Sequence, residues 1–156
     1  MVEHLGPLGS DQDGMALANL GQRNVPRLLV VDDDTLHRMI ICRVAAKAGY
    51  APAGAASYDE AAQMVHQTAY DCITLDLALG AHAGTEMLHH LSVIDYRAPI
   101  IVISGCDDAT RIESVRLAKS LGLNVFESTR KPVDLSVLRF WLERLKAGHG
   151  AAAAAA

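Results

Sequence analysis

Short, continuous apolar runs alternate along this chain with longer stretches in which apolar positions recur every three or four residues. The first run, Leu28-Leu29-Val30-Val31, is uninterrupted and predicts a strand over 27–31 that is buried on both faces. Residues 35–48 follow, with Leu36, Met39, Ile40, Val44 and Ala48 on one predicted helical face, and Gly49 provides a left-handed stop. Small residues at 50–56 predict a weaker second strand. Ser57 with Glu60 three positions on has the spacing of a capping box and opens a helix that runs to about residue 68. A third strand is expected at 73–75, then a helix over 85–94 with Met87, Leu88 and Leu91 inward. Pro99 precedes a fourth strand that ends at Ser104, and Asp107 or Asp108 caps a helix that Gly122 stops. A short fifth strand at 123–126 and a closing helix at 133–146, with Leu135, Leu138, Leu142 and Leu145 inward, complete the pattern.

Five strands alternating with five helices over short connections define an α/β, (βα)5 chain with a parallel sheet covered on both faces. Right-handed crossovers restrict it to doubly wound forms. Residues 26–147 carry this pattern and make one domain. Residues 1–25 read as a flexible leader, with Gly6 to Ser10 resembling an engineered protease-site remnant, and 148–156 as a low-complexity tail, linker or engineered remnant.

Composition adjusts this picture in three places. A net charge of −4 leaves no basic stripe for direct nucleic-acid binding. No apolar run reaches the roughly 18–20 residues of a membrane span, so a cytoplasmic setting is expected. Cys42, Cys72 and Cys106 are odd in number and form no C-x-x-C pair, which argues against disulfides and structural zinc.

The candidate chemistry lies at strand ends. Asp32, Asp33 and Asp34 close the first strand, Asp76 the third and Ser104 the fourth, while Lys131-Pro132 follows the fifth. In a doubly wound sheet, ligands bind outside the carboxyl ends of the strands, so these residues should converge. Several carboxylates in one crevice repel and need a proton or cation. With oxygen ligands only, Mg2+ is the fitting ion. A carboxylate nucleophile beside a cation, a hydroxyl and an ammonium is equipped for phosphoryl transfer.

Taken in order, these motifs resemble the receiver domain of two-component response regulators over about residues 26–147. The acidic pair matches Asp32 and Asp33, the phospho-acceptor Asp76, the loop glycine Gly84, the hydroxyl-plus-small pair Ser104-Gly105, and the Lys-Pro motif Lys131-Pro132. The resemblance implies a flavodoxin-like sheet of strand order 2-1-3-4-5 and a signalling switch that catalyses only its own phosphorylation and dephosphorylation. It implies Mg2+ bound by Asp33, Asp76 and the Ala78 carbonyl, with Asp32 acting through water. Ser104, Lys131 and the N–H groups of Leu77 and Gly105 would contact the phosphoryl group. Asp34 matches no ligand and is expected to be structural.

Expected partners are a sensor histidine kinase or histidine phosphotransfer protein, an output domain or downstream protein, and a second copy in a homodimer. The expected output surface is the helix from Asp108, strand five and the last helix. Gly80 stands where the family usually has Pro. Ser128 stands where it commonly places an aromatic switch residue. Two rival readings are a phosphorylation-independent docking module, which the missing aromatic favours, and a haloacid-dehalogenase-type phosphatase. The second expects a further acidic pair after the lysine, where only Asp134 and Glu143 follow. His37, His82, His89 and His90 read as surface residues, and Cys106 as a packing residue beside Ser104.

Overall fold

A computed structural model describes residues 25–80 and 82–155 of the chain, with no side chain described at 82–83 or 151–155. The alternating pattern folds as β1 (Arg27–Val31), α1 (Thr35–Lys47), β2 (Ala51–Ala55), α2 (Tyr58–Gln67), β3 (Cys72–Leu75), α3 (Gly84–Val93), β4 (Ile100–Ser104), α4 (Asp108–Ser120), β5 (Val125–Arg130) and α5 (Leu135–Ala155). The strands form one parallel sheet of order β2-β1-β3-β4-β5, the doubly wound arrangement the alternation requires.

Both faces of this sheet are covered, and the pleat divides the core between them. Leu29, Val31, Ile73, Leu75, Ile100 and Val102 point to the layer that holds Met87, Leu88 and Leu91 of α3. Leu28, Val30, Cys72, Ile101 and Ile103 point the other way, onto Ile41 and Ala45 of α1 and Leu138 and Leu142 of α5. Uninterrupted apolar strands are the direct consequence, because every position of a two-sided strand needs an apolar partner. Each such Leu or Ile contributes roughly 1.5–3 kcal/mol relative to exposure.

Local capping follows the side chains. Ser57 Oγ accepts from Glu60 N at 3.2 Å and caps α2, and Glu60 Oε2 reaches back one residue past the cap to accept from Ala56 N at 3.0 Å. Asp107 Oδ1 accepts from Thr110 N at 2.7 Å and caps α4. Gly49 takes φ +94° after α1, where a Cβ would be strained.

Four features depart from the expected pattern. The buried stripe of α1 is Ile41 and Ala45, while Leu36 and Met39 lie 67% and 50% exposed. The helix is turned so that His37, Arg38, Ile41 and Ala45 face inward, with Arg38 against Gly54 of β2, which leaves Leu36 and Met39 on the solvent side. β5 spans 125–130 rather than 123–126, because its polar residues pair with β4 from Ile101↔Glu127 to Ser104↔Arg130 after a register shift at Ile100. As an edge strand it tolerates those polar residues. Leu135 opens α5 exposed rather than inward, and α5 continues past residue 146 through an alanine tract of high helix propensity. A two-residue antiparallel ladder also joins Ala78–Leu79 to His82–Ala83 in the loop after β3. The leader, residues 1–24, lies outside the described residues.

Candidate functional site

Three backbone hydrogen bonds carry the sheet's order beyond its strands and place the site. Asp32 N–H donates to Ala55 O at 3.0 Å and Asp76 N–H to Val31 O at 2.9 Å, so both aspartates are held as direct extensions of β1 and β3. Lys131 N–H donates to Ser104 O at 2.9 Å, which ties the segment after β5 to the end of β4. The Lys131–Pro132 peptide bond is cis.

These anchors bring the predicted carboxylates together. Oxygens of Asp32, Asp33 and Asp76 lie within 4.8 Å of one another, and among the described residues no other His, Cys, Asp or Glu group has that geometry. Asp32 and Asp76 are only 1% and 3% exposed, whereas Asp33 faces solvent. The Lys131 ammonium bridges the buried pair, 2.8 Å from Asp76 Oδ2 and 3.1 Å from Asp32 Oδ2. Three carboxylates against one ammonium leave two formal negative charges, which one divalent cation would balance. The all-oxygen donor set suits a hard ion such as Mg2+.

Burial pushes the Asp76 carboxyl above its ordinary range, with the Lys131 hydrogen bond and the Ala78 N–H working against that rise. Burial likewise opposes the charge on Lys131, but the hydrogen bonds and charges of Asp76 and Asp32 hold the ammonium above its ordinary range. Asp34 takes a different part. Its Oδ1 accepts from His37 N at 3.0 Å, capping α1, and that backbone hydrogen bond holds its carboxyl below the usual range.

The remaining predicted residues stand around this centre. Ala78 N–H donates to Asp76 Oδ1 at 3.0 Å, in the turn that also contains the buried Leu77. Ser104 is fully buried, and its hydroxyl donates to Cys106 Sγ at 2.9 Å while accepting from Cys106 N at 3.2 Å. Gly105 lies against the Lys131 stem, where an added Cβ would stand 3.7 Å from its Cδ. Ser128 sits in β5 opposite Val102, and the Arg111 guanidinium of α4 donates to its hydroxyl.

Gly84 closes the loop after Asp76. Its N–H donates to Leu77 O at 2.7 Å, and a Cβ there would stand 2.4 Å from Leu77 Cα. Only backbone could yield, so Gly84→Ala should cost about 1–3 kcal/mol in denaturant unfolding. Unchanged stability would show that the 77–84 loop moves freely.

The structure corrects one reading of the histidines. His37 is not a surface residue, for its side chain is 15% exposed and its Nδ1 lies 2.5 Å from Asp32 Oδ2. The available signal was the cap at Asp34, which places the third helical residue back over the preceding loop. His90 is partly buried and packs edge-on against His66, with ring centroids 5.1 Å apart, while His89 is exposed. The His82 side chain lies outside the described residues.

Comparison with known proteins agrees with this fold. The model of the response regulator receiver domain family matches residues 28–141. The chain is 32% identical to the chemotaxis protein CheY of Thermotoga maritima over 107 residues, covering 67% of this chain and 89% of that protein. It is 26% identical to sporulation initiation phosphotransferase F of Bacillus subtilis over 113 residues, covering 72% and 87% respectively. A crystal structure of a response regulator from Colwellia psychrerythraea superposes with a TM-score of 0.67 at 26% identity, covering 79% of this chain and 98% of that one. With the family's matched region spanning the whole sheet and its acidic end, this chain belongs to the response regulator receiver domains.

Proposed function

We propose that the chain is a phospho-accepting switch of a two-component phosphorelay, with Asp76 as the acceptor. The observation that carries this reading is the Lys131 ammonium held 2.8 Å from Asp76 Oδ2, beside three clustered carboxylates. An Asp76 oxygen attacks the donor phosphorus. The bond from phosphorus to the donor's histidine nitrogen breaks, and its electron pair stays with that imidazole. Lys131 offsets charge on the phosphoryl oxygens as they approach Asp76. Ser104 Oγ and the N–H groups of Leu77 and Gly105 orient those oxygens, which requires the Ser104 hydroxyl to exchange its Cys106 partner for the phosphoryl group. Asp33, Asp76 and the Ala78 carbonyl would hold Mg2+, with Asp32 acting through water. Bound there, the cation neutralises developing charge on the phosphoryl group. Hydrolysis of the acyl phosphate resets the switch, a self-catalysed reaction and the only one assigned to the chain.

The partners on this reading are a sensor histidine kinase or histidine phosphotransfer protein and an output domain or downstream protein, and the chain itself works in the cytoplasm. Among the described residues no helix is long and apolar enough to cross a membrane. The output surface is α4, β5 and α5, where Arg111 and Ser128 replace the aromatic switch with a polar contact.

The test is incubation with acetyl phosphate and Mg2+, followed by mass spectrometry of the digested chain. One phosphoryl group on the peptide containing Asp76 is expected, and a group found elsewhere or none at all would defeat the assignment. In addition, millimolar Mg2+ should raise the melting temperature of the wild type by relieving carboxylate repulsion. No shift in differential scanning calorimetry would count against the acidic pocket.

A further inference from the structure

We propose that His37 is a positioning residue that keeps Asp32 out of direct contact with the cation and thereby sets the preference of the site for Mg2+ over Ca2+. The inference rests on the function proposed above and adds a residue outside the motifs that suggested it.

An ionised carboxylate offers about four acceptor positions. In Asp32, Oδ1 receives Asp34 N–H at 2.9 Å and Lys131 Nζ at 3.2 Å. Oδ2 receives Lys131 Nζ at 3.1 Å and His37 Nδ1 at 2.5 Å. A carboxylate oxygen accepts, so Nδ1 carries the hydrogen. Three donor groups thus crowd the two oxygens, with the ammonium lying between them. Asp76 differs, spending its acceptors on Ala78 N–H and Lys131, and Asp33 stands exposed. A cation entering this cluster meets free carboxylate lone pairs on Asp33 and Asp76, and reaches Asp32 only through water or by displacing a donor.

Of the donors on Asp32, His37 is the side chain with no other part in phosphoryl transfer. It is also held in place. Its N–H is fixed on the Asp34 cap at 3.0 Å, and Arg38 Nη1 donates to Asp32 O at 2.7 Å from the next position. The start of α1 is thus folded back onto the carboxylate it serves, and the ring is largely shielded from solvent.

Removing the imidazole N–H frees one lone pair of a buried carboxylate at the edge of the cluster. Mg2+ gains little, because it keeps several waters in a small octahedral shell. Ca2+ takes more oxygen ligands at longer distances and tolerates irregular geometry, so an additional carboxylate favours it selectively. Partners of ligating groups typically alter metal affinity by about 10–100-fold, which sets the scale.

The test is titration calorimetry of Mg2+ and Ca2+ on wild type, H37L, H37N and D33N, each checked for folding by circular dichroism. H37L keeps the bulk and removes the donor. H37N returns an N–H close to the position of Nδ1. H37M replaces H37L should the latter not fold. The ratio of Ca2+ to Mg2+ dissociation constants should fall about tenfold in H37L and stay near wild type in H37N. An unchanged ratio in H37L, or an H37N shift as large as that of H37L, would overturn the proposal. The two levels separate through D33N. If Mg2+ binding is lost in D33N but the H37L ratio does not move, only the role of His37 fails. If wild type binds no Mg2+, or D33N binds it as wild type does, the cation site fails and this inference with it.

Discussion

Incubated with acetyl phosphate and Mg2+, Asp76→Asn should remain at its unmodified mass while the wild type gains one phosphoryl group. The amide has no anionic oxygen with which to attack phosphorus, and no neighbour substitutes for it. Asp32 is engaged by Lys131, His37 and the Asp34 N–H, and Asp33 is too exposed to share the Lys131 ammonium. Equal labelling of the variant would remove Asp76 from the acceptor position. The same substitution should raise the melting temperature of the cation-free protein near neutral pH. Burial lifts the Asp76 carboxyl above its reference value of 3.8, so the folded chain holds this proton more tightly than the unfolded one. Between the unfolded and folded values the folded state therefore binds more protons, and stability falls as pH rises through that window. Above it, the ionised carboxylate is a standing cost that Asn relieves. Thermal melts of both proteins across the acid range should converge at low pH and separate as pH rises. Parallel curves would refute this assignment of the cost.

Lys131→Met should slow phosphorylation by about two to three orders of magnitude without abolishing it, the loss typical of one preorganised donor. Methionine keeps most of the stem that packs against Gly105 and removes the charge that approaches the phosphoryl oxygens. Asp76 remains as nucleophile, so the residual rate distinguishes this variant from Asp76→Asn. Cation-free stability should fall by about 3 kcal/mol, since two buried carboxylates lose the ammonium they share. Mg2+ should recover part of that loss by supplying the missing positive charge. Phosphorylation at the wild-type rate would exclude Lys131 from the phosphoryl contacts, and an unchanged denaturation midpoint would show that solvent compensates the pair.

The resemblance to receiver domains, carried by Asp32-Asp33, Asp76, Ser104-Gly105 and Lys131-Pro132, was legible because each motif closes or follows an apolar run. Such runs in a parallel sheet end together, so the chemistry at their ends converges whatever the loops do. The boundaries of β5 were not legible. Glu127, Ser128, Thr129 and Arg130 read as loop residues, yet an edge strand needs partners on one side only, and β4 supplies them. The face of α1 was misplaced for a related reason. Periodicity finds an apolar stripe but cannot tell how a helix is turned about its axis, and His37 and Arg38, bonded to Asp32, face inward and leave Leu36 and Met39 to solvent.

His37 marks the boundary between the two kinds of information. The strand order came with the family resemblance. Fold class and the end of the sheet that bears the site follow from alternation, β-branched runs and chain handedness, which are local or topological and leave their imprint on residue order. The partners of Asp32 do not. Lys131 reaches it from ninety-nine positions away and His37 from five, and both contacts depend on how α1 leaves β1 and how the chain returns after β5. Tertiary packing alone decided which carboxylate is crowded by donors, because hydrogen bonding belongs to distances between side chains and not to their spacing in sequence.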